Sequence, residues 1–567
     1  MDNRRLLLLL VFSFSLVMLW DAWQKYNQPP PVAPIATAGA VAPGSTADPA
    51  APQPSASLHS PVPTVPGAAA VPFMPTGETV TIRTDLFVAE ISAEGGDVVR
   101  LTLDDYKDTE SKSKDFSLFE RRHQYAAQSG LIGEGLPNHK TVFSVVPGDR
   151  ELSGEAKTLQ LRLEAAPSNG VKVSKIYTFT RGSYLIDVGY EIDNGGEKQV
   201  AAHAYYQFQR DTAAPEGESR MVMTFTGPAV YTEQEKFQKV DFSAVEAGKA
   251  KFVTQADNGW IAMIQHYFVA AWVPADKLPR EYFMRKLDNT TTPTIRVGVI
   301  VPVPVAAPGA KVDFSVPLYA GPQLQSTLDH LALPESEGGI GAQGLWLVVD
   351  YGLLKYVASP IFWCLKAIHK LVGNWGWAIV LLTIGIKLLF FPLSAASYKS
   401  MAKMRNVTPL LVKLKERHAG DRQKLNQEMM ELYKREKINP LGGCLPIAVQ
   451  IPVFIALYWA LLGAVEIRDA PWILWINDLS ASDPYYVLPV IMVVTMLIQT
   501  RLNPTPPDPI QAKVMMMMPF IFGAMFFFFP AGLVLYWVVN NTLSIAQQWQ
   551  ITRMMEGGAK AANDPKV

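Results

Sequence analysis

Two hydrophobic periods share this 567-residue chain, and the place where one gives way to the other divides it. Between residues 78 and 343 apolar and polar positions alternate. The runs TVTIRT (Thr79–Thr84), DVVRLTL (Asp97–Leu103), LQLRL (Leu159–Leu163), YLIDVGYEI (Tyr184–Ile192) and TIRVGVI (Thr294–Ile300) show it best. Alternation puts every second side chain on one face of a strand. Many such short runs, divided by Gly, Asp, Asn and Pro, indicate an antiparallel β-sandwich. Further along, the apolar positions gather into blocks of spanning length, which predict membrane helices over residues 371–396, 440–463, 485–502, 514–530 and 531–552. Residues 1–24 hold Arg4 and Arg5, then an apolar run from Leu6 to Trp20, with Trp23 just after it. The small-residue run Ala38–Ala42 is too distant to be the cleavage site of a signal peptide. The segment therefore reads as an uncleaved anchor with its N-terminus inside. Residues 25–77, rich in Pro and Ala and almost uncharged, make an extended linker.

Charge orients these blocks. Residues 397–439 carry eleven Lys and Arg against five acids, whereas residues 464–484 have Arg468 against Glu466, Asp469, Asp478 and Asp483. Basic loops stay in the cytoplasm, so the first loop is inside and the second outside. The 503–513 loop and the 553–567 tail also fall inside, giving six spans with both termini cytoplasmic and the β domain outside. Residues 344–370 are apolar but interrupted by Asp350, Lys355, Pro360, Lys366 and Lys370, which suits an amphipathic helix lying on the outer interface. The basic segment reads as a helical hairpin. Met401, Met404, Leu411 and Leu414 form one seam, Leu425, Met429 and Leu432 the other, and Gly420–Asp421 the turn between them. Thr408–Pro409 is expected to act as N-cap and first helical position, dividing the first arm. Its basic residues Lys399, Lys403, Arg405, Lys413, Lys415 and Arg417 fit two readings: positive-inside charge alone, or docking of an acidic partner such as ribosomal RNA or lipid headgroups.

Composition narrows the chemistry. Lys+Arg and Asp+Glu both number 51, which excludes a strongly basic nucleic-acid binder. Cys364 and Cys444 cannot build a disulfide framework for the β domain and read as small buried hydrophobes. His203 and His266 have no spacing that makes a metal or acid/base set, and no P-loop is present. The chemistry therefore centres on one residue. Lys387 lies inside an apolar run, roughly 18 Å below Trp375 at ~1.5 Å per residue. A cation there costs about 2.5–3.5 kcal/mol unless it faces protein or water. It either snorkels to the inner interface or lines a hydrated interior site. Thr383 lies one turn away on its face, and Gln450, Asn540, Asn541 and Ser544 fall at similar depth on other predicted spans, joined by Thr495 and Gln499. Singly, each is an interhelical hydrogen bond; together, beside a cation with no deep acidic partner, they favour a shared hydrated groove that attracts acidic groups on a passing chain. The runs Met515–Met518 and Phe526–Phe529 read mostly as packing, with an adaptable surface for apolar segments as the alternative.

The blocks SMAKMR (Ser400–Arg405), QEMMELYKREKINPLGGCLP (Gln427–Pro446), DPYYVLP (Asp483–Pro489) and FPAGLVLYW (Phe529–Trp537) are long and specific. Through them the chain resembles, over essentially its whole length, the bacterial membrane insertases of the YidC/Oxa family in their Gram-negative form. The resemblance implies a periplasmic β-supersandwich, a membrane core of five helices beside the anchor, and a groove open to cytoplasm and lipid but closed outside. It implies an inner-membrane insertase and chaperone that takes nascent membrane proteins and releases them sideways into the bilayer, alone or with the Sec translocon. Ribosome–nascent chain complexes are the implied partners, without a cofactor and without sequence-specific nucleic-acid binding. The family's groove carries one positive charge, usually arginine. Lys387 stands at that position, keeping the charge but losing the bidentate fork. Thr383, Gln450, Tyr536 and Trp537 fall at positions the family uses in or beside the groove, with Trp537 where tyrosine is common. The family's hairpin is implicated in receiving nascent chains, whereas the tail after Arg553 is short and weakly basic. Two other readings compete: a solute transporter or channel using the same polar residues, and a carbohydrate-active enzyme, since β-supersandwiches also serve those. One core charge and no internal repeat weigh against the transporter, and fold analogy is weak ground for the enzyme.

Overall fold

The computed structural model of the protein describes residues 77–109, 111–215, 224–275, 277–287, 292–418, 421–436, 445–503 and 509–562. The expected anchor and most of the linker lie outside the described residues, as do Cys444 and the side chains of Arg405 and Lys415.

The alternating half folds into two stacked antiparallel sheets. One orders Thr79–Arg83, Phe87–Ser92, Val98–Lys107, Ala126–Ile132, His203–Asp211, Thr294–Pro302, Arg280–Leu287 and Gln255–Ala256, with Asp115–Phe119 paired onto Val98–Lys107. The other orders Lys236–Lys239, Gly227–Thr232, Trp260–Ile264, Phe268–Trp272, Lys311–Pro322, Leu185–Asn194, Val171–Thr180, Thr158–Ala165 and Phe143–Val145. Strand Leu185–Asn194 alternates buried and half-buried positions as its sequence predicts. Phe268–Trp272 is buried along its whole length, because its outer face is covered too. Between the sheets Trp272 meets Tyr206 and Phe208, with ring centroids 5.0 and 5.8 Å apart.

Eight helices of the C-terminal half matter for function: α1 (Lys355–Val372), α2 (Trp375–Leu389), α3 (Phe391–Arg417), α4 (Arg422–Arg435), α5 (Leu445–Gly463), α6 (Val487–Leu502), α7 (Pro509–Phe526) and α8 (Ala531–Ala562). α8 is the hub, packed on α6, α2 and α3, while α1 lies across α5 and α2. Several expectations are corrected here. The amphipathic helix starts at Lys355, not 344; Gly344 and Gly352 adopt φ of +72° and +59°, so the chain before α1 winds in short 3₁₀ turns that bury Leu345 and Val348. The span expected over 371–396 breaks at Phe390, and α2 and α3 meet at a 66° bend. Pro392 sits in the first turn of α3, where its missing N–H costs nothing. α3 then runs unbroken through Thr408–Pro409; Pro409 is exposed, so the carbonyl it leaves unbonded can turn to water. Met516, Met517 and Met518 point outward rather than packing inside, Met516 being 64% exposed. Ala531–Ala562 continues as helix past 552, into the expected tail. Among the described residues no single helix is long and apolar enough to cross a membrane, although α2 with the start of α3 passes as a bent pair.

The two halves meet along a polar seam. Lys112 pairs with Asp469 and with Asp478, and Arg468 donates to Lys107 O and Thr109 Oγ1. The Arg468 guanidinium lies 5.3 to 5.6 Å from the rings of Phe116, Tyr267 and Phe268. His266 Nε2 donates to Leu462 O at 2.9 Å, and burial holds its imidazole down at about 4.

Candidate functional site

Lys387 occupies the last turn of α2, just before the bend, and is 3% exposed. Its ammonium is held by one neutral group: Nζ donates to Ser544 Oγ of α8 at 2.7 Å. Among the described residues no carboxylate pairs with it. Ser544 Oγ in turn donates to Asn540 O at 2.8 Å, and Tyr398 of α3 lies close to Ser544. Asn540, Ser544 and Gln548 recur every fourth residue, so they form one polar stripe along α8. Gln548 Nε2 reaches Leu502 O at 3.1 Å at the lower end of α6. Asn541 turns to α6, where its Nδ2 donates weakly to Thr495 Oγ1 at 3.4 Å. Thr383 is buried one turn above Lys387 with its hydroxyl donating to Ile379 O at 2.7 Å, and no hydrogen bond between described residues joins it to the lysine. The Oε1 atoms of Gln499, Gln547 and Gln548 and the Trp537 Nε1 are buried without a partner, the pattern that ordered water resolves.

An aromatic wall stands nearer the other end. Phe454 of α5 stacks on Tyr536, with centroids 6.0 Å apart, and meets Trp537 edge-on at 4.7 Å. Phe526 of α7 closes on Trp537 at 5.6 Å. Gln450 lies one turn before Phe454 on α5 and is half-buried. The structure thus joins Lys387 to Ser544 and Tyr536 and Trp537 to α5, but no hydrogen bond between described residues joins Gln450 to the lysine. Sequence reasoning missed Tyr398, assigning it to the cytoplasmic hairpin. The signal was Pro392, a helix-starting residue that moves the polar run Ser394, Ser397, Tyr398 into helix beside the lysine.

Protein covers the other end of the bundle. The Asn374 side chain caps α2 at Trp377 N and donates to Pro471 O at 3.1 Å, while Gly376 admits the Trp472 ring against the backbone. Asp483 accepts from Trp475 Nε1, Tyr485 N and Leu488 N at 2.9, 3.0 and 2.7 Å, which fixes the start of α6. Ala531 N and Gly532 N bond to Ala481 O and Leu479 O at 2.7 and 2.9 Å. The acidic loop is therefore tied to the first turns of α2, α6 and α8. At the opposite end the α3–α4 hairpin closes on Val407, Leu411 and Leu432. It leaves Lys399, Lys403, Lys413 and Arg417 exposed.

Comparison with known proteins agrees with this division. The family described as "YidC periplasmic domain" matches residues 79–364, and that described as "60Kd inner membrane protein" matches residues 367–559. A membrane protein insertase YidC of Dechloromonas aromatica is 62% identical over 567 residues, covering 100% of both chains. One from Aromatoleum aromaticum is 58% identical, covering 99% of this chain and 100% of its own. A solved YidC insertase, described as active with its first transmembrane domain resolved, is 18% identical, covers 83% of this chain and 92% of its own, and has a TM-score of 0.39.

Proposed function

This chain belongs to the YidC family of membrane protein insertases, and on that premise we propose that it inserts nascent membrane proteins into the inner membrane through a hydrated groove lined by α2, α5 and α8. The observation that carries this is Lys387, a buried cation whose partner among the described residues is a serine hydroxyl. An ammonium with so little neutralisation attracts carboxylates strongly where the dielectric is low. Acidic residues of a substrate's translocated tail pause at Lys387 while its apolar segment moves out past the aromatic wall into lipid. The covered outer end keeps the groove from becoming a pore. Insertion draws on the burial of ~20 apolar residues and on the membrane potential, worth about 2.3 kcal/mol per charge per 100 mV. The exposed basic face of the hairpin suits the first contact with a ribosome–nascent chain complex, and release sideways suits work alone or beside the Sec translocon. The orientation follows the charge of the loops: both termini and the hairpin cytoplasmic, the β domain periplasmic.

Site-specific photocrosslinking from positions 387, 450 and 537 to a stalled nascent membrane protein tests this. Crosslinks that appear early and fade as the chain lengthens are expected. Continued insertion without crosslinks at any of the three positions removes the groove from the path. Ion or solute flux through purified protein in liposomes would turn the reading toward a channel.

A further inference from the structure

A serine hydroxyl has one proton and two lone pairs. Ser544 spends its proton on Asn540 O and receives the Lys387 ammonium on a lone pair, so α8 seats the end of α2 just before the Phe390 bend. Such a seat holds the ammonium in one place without cancelling its charge. A carboxylate in the same place would form an ion pair with it and leave no net attraction for another acid.

We propose that Ser544 is the resting seat of Lys387 and sets the protein's preference for acidic translocated segments. The proposal rests on the insertase reading above. A substrate carboxylate displaces a neutral partner, so capture costs the hydrogen bond to a hydroxyl rather than the breaking of an ion pair.

The test uses the full-length protein in vesicles of phosphatidylethanolamine and phosphatidylglycerol. Two single-span probe proteins differ only in a short translocated tail carrying either two aspartates or two asparagines. Ser544→Asp is expected to lower the ratio of acidic-tail to neutral-tail insertion roughly ten-fold, equivalent to about 1.4 kcal/mol. Ser544→Thr keeps a hydroxyl and is expected to keep the parent ratio. An unchanged ratio in Ser544→Asp overturns the proposal, and so does an equal fall of both tails in Ser544→Asp and Ser544→Thr, which would mark a packing role. Failure of the parent to insert either tail would instead overturn the insertase reading, and the proposal with it.

Discussion

Among the described residues the protein buries two lysines, one in each half, and treats them in opposite ways. Lys175 in the β domain is fully buried, with Asp97 at 4.0 Å and backbone carbonyls of Gly95 and Ser129 at 2.9 and 3.4 Å. The rings of Tyr177 and Tyr190 lie 5.5 and 5.8 Å from its ammonium, and Asp97 is held in turn by Gln128 at 2.8 Å. Burial pushes the Asp97 carboxyl up and the Lys175 ammonium down, so the pair is tuned to itself. Lys387 is almost as deeply buried but has a hydroxyl where Lys175 has a carboxylate. A cation that is fully answered is architecture, and one left half-answered is available to something else.

The largest effect should come from breaking the answered pair. Lys175→Met leaves Asp97 buried without its cation and should cost about 3–5 kcal/mol, read as an earlier thermal transition of the purified full-length protein. Adding Asp97→Asn should return most of that loss. Lys387→Met should move the transition by less than about 1 kcal/mol in either direction, because no buried partner is stranded. If the two lysine variants lose equal stability, the contrast between them fails.

The seam between the halves offers an intermediate case. His266 is buried at the seam, with its imidazole held near 4 against an ordinary value of 6.5. A depressed imidazole makes folding favour the neutral ring. Its contribution is complete above pH ~6.5 and disappears as the pH falls toward 4, up to about 3 kcal/mol across the interval. Amide exchange around Leu462 and the 464–484 loop should accelerate over that window, and His266→Gln should flatten the response. Acidification that leaves the loop unchanged would show that the seam is held by Arg468 and Lys112 alone.

Lys387→Ala and Lys387→Glu should slow insertion of substrates with short acidic tails roughly ten-fold, about 1.4 kcal/mol, and leave neutral-tailed substrates near the parent rate. Normal insertion of both by both variants would take the charge out of the mechanism.

How much of this could be read from the sequence follows the same division. Strands buried on one face alternate, so Leu185–Asn194 and Thr158–Ala165 are legible. Trp260–Ile264 and Phe268–Trp272 are covered on both faces and carry no alternation to read. Lys387 is legible because a charge within an apolar run is conspicuous, and Ser544 because its depth can be counted. Tyr398 is hidden by the bend at Phe390, which turns a residue expected in the cytoplasm back toward the bundle. The Lys175–Asp97 pair is invisible in sequence, since 78 positions separate Lys175, inside one strand, from Asp97, just before another.

The smallest effect belongs to the hairpin, which has neither kind of buried charge. Its seam is narrow: Val407, Leu411 and Leu432 are buried, with Met404, Leu414, Met429 and Tyr433 packed around them. His418 Nε2 lies 3.1 Å from Glu428 across the turn, and the Asp421 carboxylate caps α4 by accepting from Gln423 N and Lys424 N at 3.1 and 3.0 Å. With so little apolar surface between two arms, one cap is a sizeable share of what keeps the hairpin closed. Asp421→Ala should cost about 1 kcal/mol, the usual value of an acidic N-cap. Amide exchange should rise about five-fold along α4 and stay unchanged at Lys387 and across the β domain. Faster exchange reaching α8 would mean that the hairpin and the lysine's seat open together, which would extend the half-answered condition of Lys387 from one side chain to the whole cytoplasmic entrance.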